Sequence, residues 1–217
     1  MKIKKLISAF VLGSLLVGLS GCNITDFSAE NLLRPPKAVG DEAEIEQLIA
    51  KTADSGYTLK YPKNGKFRSA IIMTDLDGND SNEAVAFFRN SAETSSVHML
   101  VMYSKDNSWE IASDNIFETT DIDSVDFADL TGNGKAEIIV NSTTYTPNVG
   151  KLSCYSYSEG KTNEVGSGQS CSSFVTGDFD NDGTSEIMSL VLYTTENEAL
   201  ASMLDYNAVS YTHLRAH

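Results

Sequence analysis

Apolar positions along this chain fall into three regimes, each predicting a different kind of segment. Leu6 to Leu19 is an unbroken apolar run behind Lys2, Lys4 and Lys5, the charge-then-grease order of an export leader and not part of a folded core. Residues 41–56 form a helical segment, with Asp41 to Ala53 reading as one helix. Ile45, Leu48, Ile49 and Thr52 share one face, Asp41, Glu42 and Glu44 sit at the start where the helix dipole favours acids, and Gly56 ends the segment. From Tyr57 onward short β-branched and aromatic runs alternate with turn residues, which predicts strands. Thr58–Tyr61, Phe67–Thr74, Ala84–Phe88, Val97–Tyr103 and Trp109–Ile111 form a first series. Ser124–Phe127, Ile138–Val140 and Leu152–Tyr157 form a second, and Ser173–Val175, Ile187–Tyr193 and Leu200–Tyr206 a third. The fold class read from this pattern is all-β, with one short helix ahead of the strands.

A polar signal recurs with the strands. Three acidic segments begin at Asp75, Asp129 and Asp178, spaced 54 and 49 residues apart, and each leads directly into a β-branched run. Oxygen-bearing side chains occupy positions 1, 3, 5 and 9 in all three: Asp75, Asp77, Asn79 and Glu83; Asp129, Thr131, Asn133 and Glu137; Asp178, Asp180, Asp182 and Glu186. Calcium takes six to eight oxygens at about 2.3–2.6 Å, and a tight turn stepping every second residue supplies them from one short stretch. The third segment carries four carboxylates and Gly183 at its sixth position, the first has Asp80 there, and the second holds only two formal charges. Affinity follows ligand charge, so the expected order is third, first, second. Acidic β-turns without metal are the alternative. An EF-hand needs a ligand at position 12 and a following helix, but Ala86, Val140 and Ser189 stand there and strands follow.

A unit of about fifty residues with four short strands is the size of a propeller blade. The loop-then-strand pattern, clearest in Gly177 to Ile187, resembles the FG-GAP/VCBS repeat of integrin α-chain propellers and bacterial surface proteins. The resemblance covers roughly residues 67–208 and implies a partial β-propeller of about three blades (66–115, 122–168 and 172–208). In that family the loop joins the first two strands of a blade and binds structural calcium through positions 1, 3, 5 and 9 plus the position-7 carbonyl, here Ser81, Lys135 and Thr184. Two full units and a third without its fourth strand cannot close a ring, so an exposed blade face is expected. Thr58–Tyr61 is then the candidate outer strand of a final blade, acting as a clasp.

The two ends carry separate expectations. Leu19-Ser20-Gly21-Cys22 resembles the lipobox of bacterial lipoproteins, which implies removal of residues 1–21, a lipidated Cys22 and a location in the cell envelope facing outside the cytoplasm. Two or more acyl chains would hold the protein stably at a membrane. Residues 22–40, with Arg34-Pro35-Pro36-Lys37, read as an extended tether. Residues 209–217 lack acids and resemble translated adapter sequence, so the natural chain is expected to continue past about Ala208.

Charge narrows the partners. The formal net charge is -14, and setting aside Lys2, Lys4, Lys5 and Arg215 makes the remainder more acidic still. Such a surface repels phosphate backbones, so nucleic acid is an unfavourable partner. Cys154 and Cys171 are the pair left for a disulfide in an exported compartment, with two half-buried thiols as the alternative. His98 falls inside a strand and reads as structural; Trp109 and the tyrosines also sit in strand patterns that predict packing first. The sequence carries no nucleophile motif, phosphate-binding glycine loop or zinc spacing. It therefore points to a membrane-tethered, calcium-stabilised scaffold presenting loops to a protein or a glycan. A polysaccharide-binding or polysaccharide-degrading protein, with its functional residues partly in further blades, is the alternative.

Overall fold

The computed structural model describes residues 40–54 and 56–193, with the backbone of Glu198–Leu204 and Thr212–Ala216. The predicted leader, Cys22 and the tether up to residue 39 lie outside the described residues. After helix α1 (Asp41–Ala53) come three antiparallel sheets. The first holds β1 (Tyr57–Leu59), β2 (Ile71–Thr74), β3 (Glu83–Asn90), β4 (Val97–Lys105) and β5 (Ser108–Phe117). The second runs β6 (Ile122–Ala128), β7 (Glu137–Thr143), β8 (Gly150–Ser158), β9 (Lys161–Cys171), and the third β10 (Ser173–Gly177), β11 (Glu186–Tyr193), β12 (Glu198–Leu204), β13 (Thr212–Ala216). The all-β expectation holds, and the described residues do not close into a ring.

Side-chain alternation explains the layering. In β3, Val85 and Phe87 face the second sheet, where they join Ile122, Val125, Ile138, Val140, Tyr155 and Tyr157. The intervening Ala84, Ala86 and Phe88 face the other way and pack with Ile45, Ile49 and Ala53 of α1, together with Leu100, Met102 and Trp109. Because both faces of β3 are covered, its sequence is a continuous apolar run instead of an alternating one. The second sheet repeats this, sending Leu152 and Cys154 to a third cluster with Leu130, Ile139, Cys171 and Ile187. The first sheet's outer face is therefore capped by α1. On the third sheet the outward-facing Val175, Met188 and Leu192 are 56%, 42% and 44% exposed.

Several elements differ from the sequence reading. The helix keeps its expected bounds, Asp41–Ala53, but the residue that ends it is Asp54, at a positive φ of 57°, ahead of Gly56. Tyr57–Leu59 is not a clasp for a distant blade. It pairs with Phe88–Asn90 of β3 in its own sheet, and this leaves β2 only the Glu83–Ala86 half of that edge. The long strand expected at Phe67–Thr74 shortens to Ile71–Thr74 for that reason. Phe67 instead packs edge-on against Phe127 of the second sheet at 4.9 Å. The third sheet has a fourth strand, since Thr212–Ala216 pairs with Ala199–Met203 in the segment expected to stand outside the fold.

His98 is 4% exposed and lies within β4. Its Nδ1 lies 2.9 Å from Asp114 and its Nε2 3.1 Å from Glu93, while its ring stacks on Phe88. Glu93 in turn accepts from the Ser96 hydroxyl, which with His98 holds its pKa below the usual range. The imidazole thus ties the β3–β4 turn to β5.

The disulfide alternative fails on register. Cys171 stands opposite Gly150 and Cys154 opposite Gly166, so the two are four residues apart along β8. That offset is about 13 Å, twice the Cα separation a disulfide spans. Both side chains are fully buried, and burial pushes the Cys171 thiol up to about 12. Iodoacetamide should therefore label neither cysteine in the folded protein and both after unfolding in guanidinium; a non-reduced tryptic peptide joining them would contradict this register.

Candidate metal centres

Each acidic segment joins the first two long strands of its sheet: β2 to β3, β6 to β7 and β10 to β11. The turn is wound by the same hydrogen bonds in all three. The position-1 carboxylate accepts from the backbone N–H of position 6 through one oxygen, at 2.9, 2.7 and 3.1 Å for Asp75, Asp129 and Asp178. Its other oxygen accepts from position 5, at 3.2, 3.1 and 3.2 Å. The position-5 side chain accepts from the position-7 N–H, pairing Asn79 with Ser81, Asn133 with Lys135 and Asp182 with Thr184. Position 9 is the anchor. Glu83, Glu137 and Glu186 are 3%, 1% and 1% exposed, and each accepts the position-2 N–H at 2.8 Å.

This winding needs left-handed backbone at two places. Position 6 is Asp80, Gly134 and Gly183, at φ 64°, 78° and 93°. Aspartate tolerates that region better than most residues, so Asp80 adopts the turn without glycine. Position 4 is also left-handed, at Gly78, Gly132 and Asn181. The sequence reading overlooked this second requirement, although the recurrence of glycine, glycine and asparagine there was its signal.

Position 2 was overlooked as well. Leu76 and Leu130 are buried plugs in the two inter-sheet cores, while Phe179 is 41% exposed beside the third sheet's outer face. The loops are also linked to one another. The Ala136 N–H donates to the Leu76 carbonyl at 3.0 Å, and the Ser185 N–H donates to the Asp129 carbonyl at 2.9 Å. Both donors are position 8, so each loop hangs on the one before it.

Ligand atoms converge to different degrees. Oxygens of Asp178, Asp180, Asp182 and Glu186 come within 4.8 Å of one another, and so do those of Asp75, Asp77 and Glu83. The second loop brings together Asp129 and Glu137, with the Thr131 hydroxyl 3.4 Å from Glu137 Oε1. Lys135 directs its ammonium away, 3.4 Å from the Ser158 hydroxyl. Burial raises the pKa of Glu83, Glu137 and Glu186, and the neighbouring aspartates raise it further. Burial works against Asp75 too, but four loop N–H groups outweigh it and hold that carboxyl below its ordinary value. One buried oxygen of Asp77 has no hydrogen-bond partner. Concentrated carboxylates, three buried glutamates disfavoured as anions and an orphaned acceptor all fit a hard divalent cation.

No family model matches this chain, and neither a curated protein nor a solved structure is detectably similar to it.

The anchoring role of position 9 can be separated from its charge. Glu137→Gln keeps an acceptor for the Leu130 N–H and removes a costly buried charge, so metal-free stability should be unchanged or raised. Glu137→Ala strands that N–H and should cost about 1–3 kcal/mol. Urea denaturation in chelator distinguishes the two, and equal losses would mean that the hydrogen bond is not the anchor.

Proposed function

We propose that this chain is a lipid-anchored, extracytoplasmic binding module whose sheets are FG-GAP/VCBS-type blades stiffened by calcium. The observation that carries the reading is the triple recurrence of one loop geometry at one place in three successive antiparallel sheets. Such a repeat is the resemblance that the sequence carries, now with matching hydrogen bonds at matching positions. The cation is structural in this reading. It would be held by Asp178, Asp180, Asp182 and Glu186 in the third loop, with the Thr184 carbonyl. In the first loop Asp75, Asp77, Asn79, Glu83 and the Ser81 carbonyl serve, and in the second Asp129, Thr131, Asn133, Glu137 and the Lys135 carbonyl. Its chemistry there is to neutralise crowded carboxylates and pin the first strand of each blade to the second.

In this reading membrane attachment is through a lipidated Cys22; no helix among the described residues is long and apolar enough to cross a bilayer. The acidic surface disfavours direct adsorption to anionic lipid.

Calcium should raise the melting temperature and chelator should reverse the shift. A single site at a hundred times its Kd contributes about 2.7 kcal/mol, or several degrees for a domain of this size. Asp180→Asn should remove more of that shift than Thr131→Ala, because the third loop concentrates more charge. A melting curve indifferent to millimolar calcium sinks the proposal. The anchor has its own check: Cys22→Ala in a bacterial host should move the protein from the detergent phase to the aqueous phase of a Triton X-114 partition. Aqueous partitioning of the unaltered protein would rule lipidation out.

A further inference from the structure

We propose that Asn64 is a site of spontaneous covalent modification, converting to aspartate and isoaspartate through a cyclic imide with Gly65. The proposal stands apart from the binding-module reading. Glycine after asparagine suits this chemistry, because no Cβ hinders the approach of its backbone nitrogen. That nitrogen bonds to the Asn64 side-chain carbonyl carbon, the Cγ–Nδ2 bond breaks, and the proton from the Gly65 N–H leaves with ammonia. Water then breaks one of the two C–N bonds of the imide. Loss of the new bond yields aspartate, and loss of the original peptide bond yields isoaspartate.

The chain contains its own control. Asn64-Gly65-Lys66 and Asn133-Gly134-Lys135 are the same tripeptide. Both asparagines and both glycines are exposed, and the glycines share a left-handed backbone at φ 84° and 78°. Their hydrogen bonds differ. The Gly134 N–H donates to Asp129 Oδ2 at 2.7 Å, and Asn133 Oδ1 accepts from the Lys135 N–H at 2.8 Å. A carboxylate thus holds the proton of the attacking nitrogen and disfavours an anion there, while the side chain is turned toward Lys135. Asp77-Gly78 and Asp182-Gly183 are held in the same way, their glycine N–H groups donating to Asp75 and Asp178 at 2.8 and 3.1 Å. The Gly65 N–H has no acceptor among the described residues.

The modification would act on a tie between sheets. Residues 60–70 join β1 to β2 by crossing to the second sheet. Asn64 holds this crossing twice: its backbone N–H lies 2.7 Å from the Asp123 carbonyl, and its side-chain amide donates to Asp123 Oδ1 at 2.9 Å. The side-chain bond lies at the surface, where water competes for both groups, so it does not shut the amide carbon away. Conversion replaces that donor with a carboxylate facing Asp123, and isoaspartate also adds a methylene to the main chain. Like charges there repel. The centre of the crossing is then released from β6, while Lys60 and Lys63 keep Asp121 on one side and Phe67 keeps Phe127 on the other.

The test is incubation of the purified protein at mildly alkaline pH, with chymotryptic mapping by mass spectrometry over weeks and isoaspartate detected by enzymatic methylation. The peptide 60–67 should gain the acid form about tenfold faster, or more, than the peptide carrying Asn133, which reacts only when its loop opens. In guanidinium the two should convert at similar rates. Asn64→Gln should abolish the early acidic species. Asn64→Asp, which reproduces one product, should leave the acidic loops unchanged yet speed hydrogen exchange at the amides of positions 63 and 64. Comparable rates at the two asparagines in the folded protein, an Asn64 that stays an amide while its guanidinium control converts, or early acidic species persisting in Asn64→Gln overturns the proposal. Unchanged exchange at positions 63 and 64 in Asn64→Asp overturns the release of the crossing alone.

Discussion

A sheet in this protein has two apolar faces, and water can be kept from both only by a further layer on each side. That constraint organises the molecule. Val85 and Phe87 require the second sheet, and Ala84, Ala86 and Phe88 require the helix. Ile139 and Cys154 require the third. At about 25 cal/mol per Å² of apolar surface removed from water, these interfaces outweigh any single hydrogen bond in the loops. The helix is the cheapest cover for an end layer, since one stripe of Ile45, Ile49 and Ala53 closes the face without creating another. The outer face of the third sheet, with Val175, Met188 and Leu192 exposed, is where the same logic remains unfinished among the described residues.

The acidic loops solve a local problem that layering creates. Strands packed on both faces are held apart from their neighbours by side-chain volume alone, so their ends need stitching. The buried glutamate at position 9 fastens the turn to the strand that follows, and the position-8 N–H fastens one loop to the previous one. Burying a carboxylate for this purpose is costly unless its charge is met. The same residue therefore argues both for the stitch and for a cation.

Division of labour between the two ends follows. Turns at the loop end are wound tightly around their own side chains and leave little free for a partner. The opposite end has longer connections, and there the β1–β2 segment crosses to the second sheet through Lys60 and Lys63 paired with Asp121.

Periodicity in the chain was enough to determine most of the strands, the single helix and the three loops, because strand alternation, helical spacing and alternate-residue oxygen ligands are all local. It missed β9 (Lys161–Cys171), whose side chains are mostly polar and exposed and carry no apolar alternation. Asp80 was correctly admitted to a glycine position on conformational grounds alone. What the chain could not reveal were pairings between distant segments. Tyr57–Leu59 joined its own sheet because β3 had a free half-edge, and Cys154 and Cys171 were separated by a register that no spacing encodes. The loop-to-loop bonds are likewise tertiary: the Ala136 N–H meets the Leu76 carbonyl, and the Ser185 N–H the Asp129 carbonyl, only because packing stacks one sheet's turn beside the next.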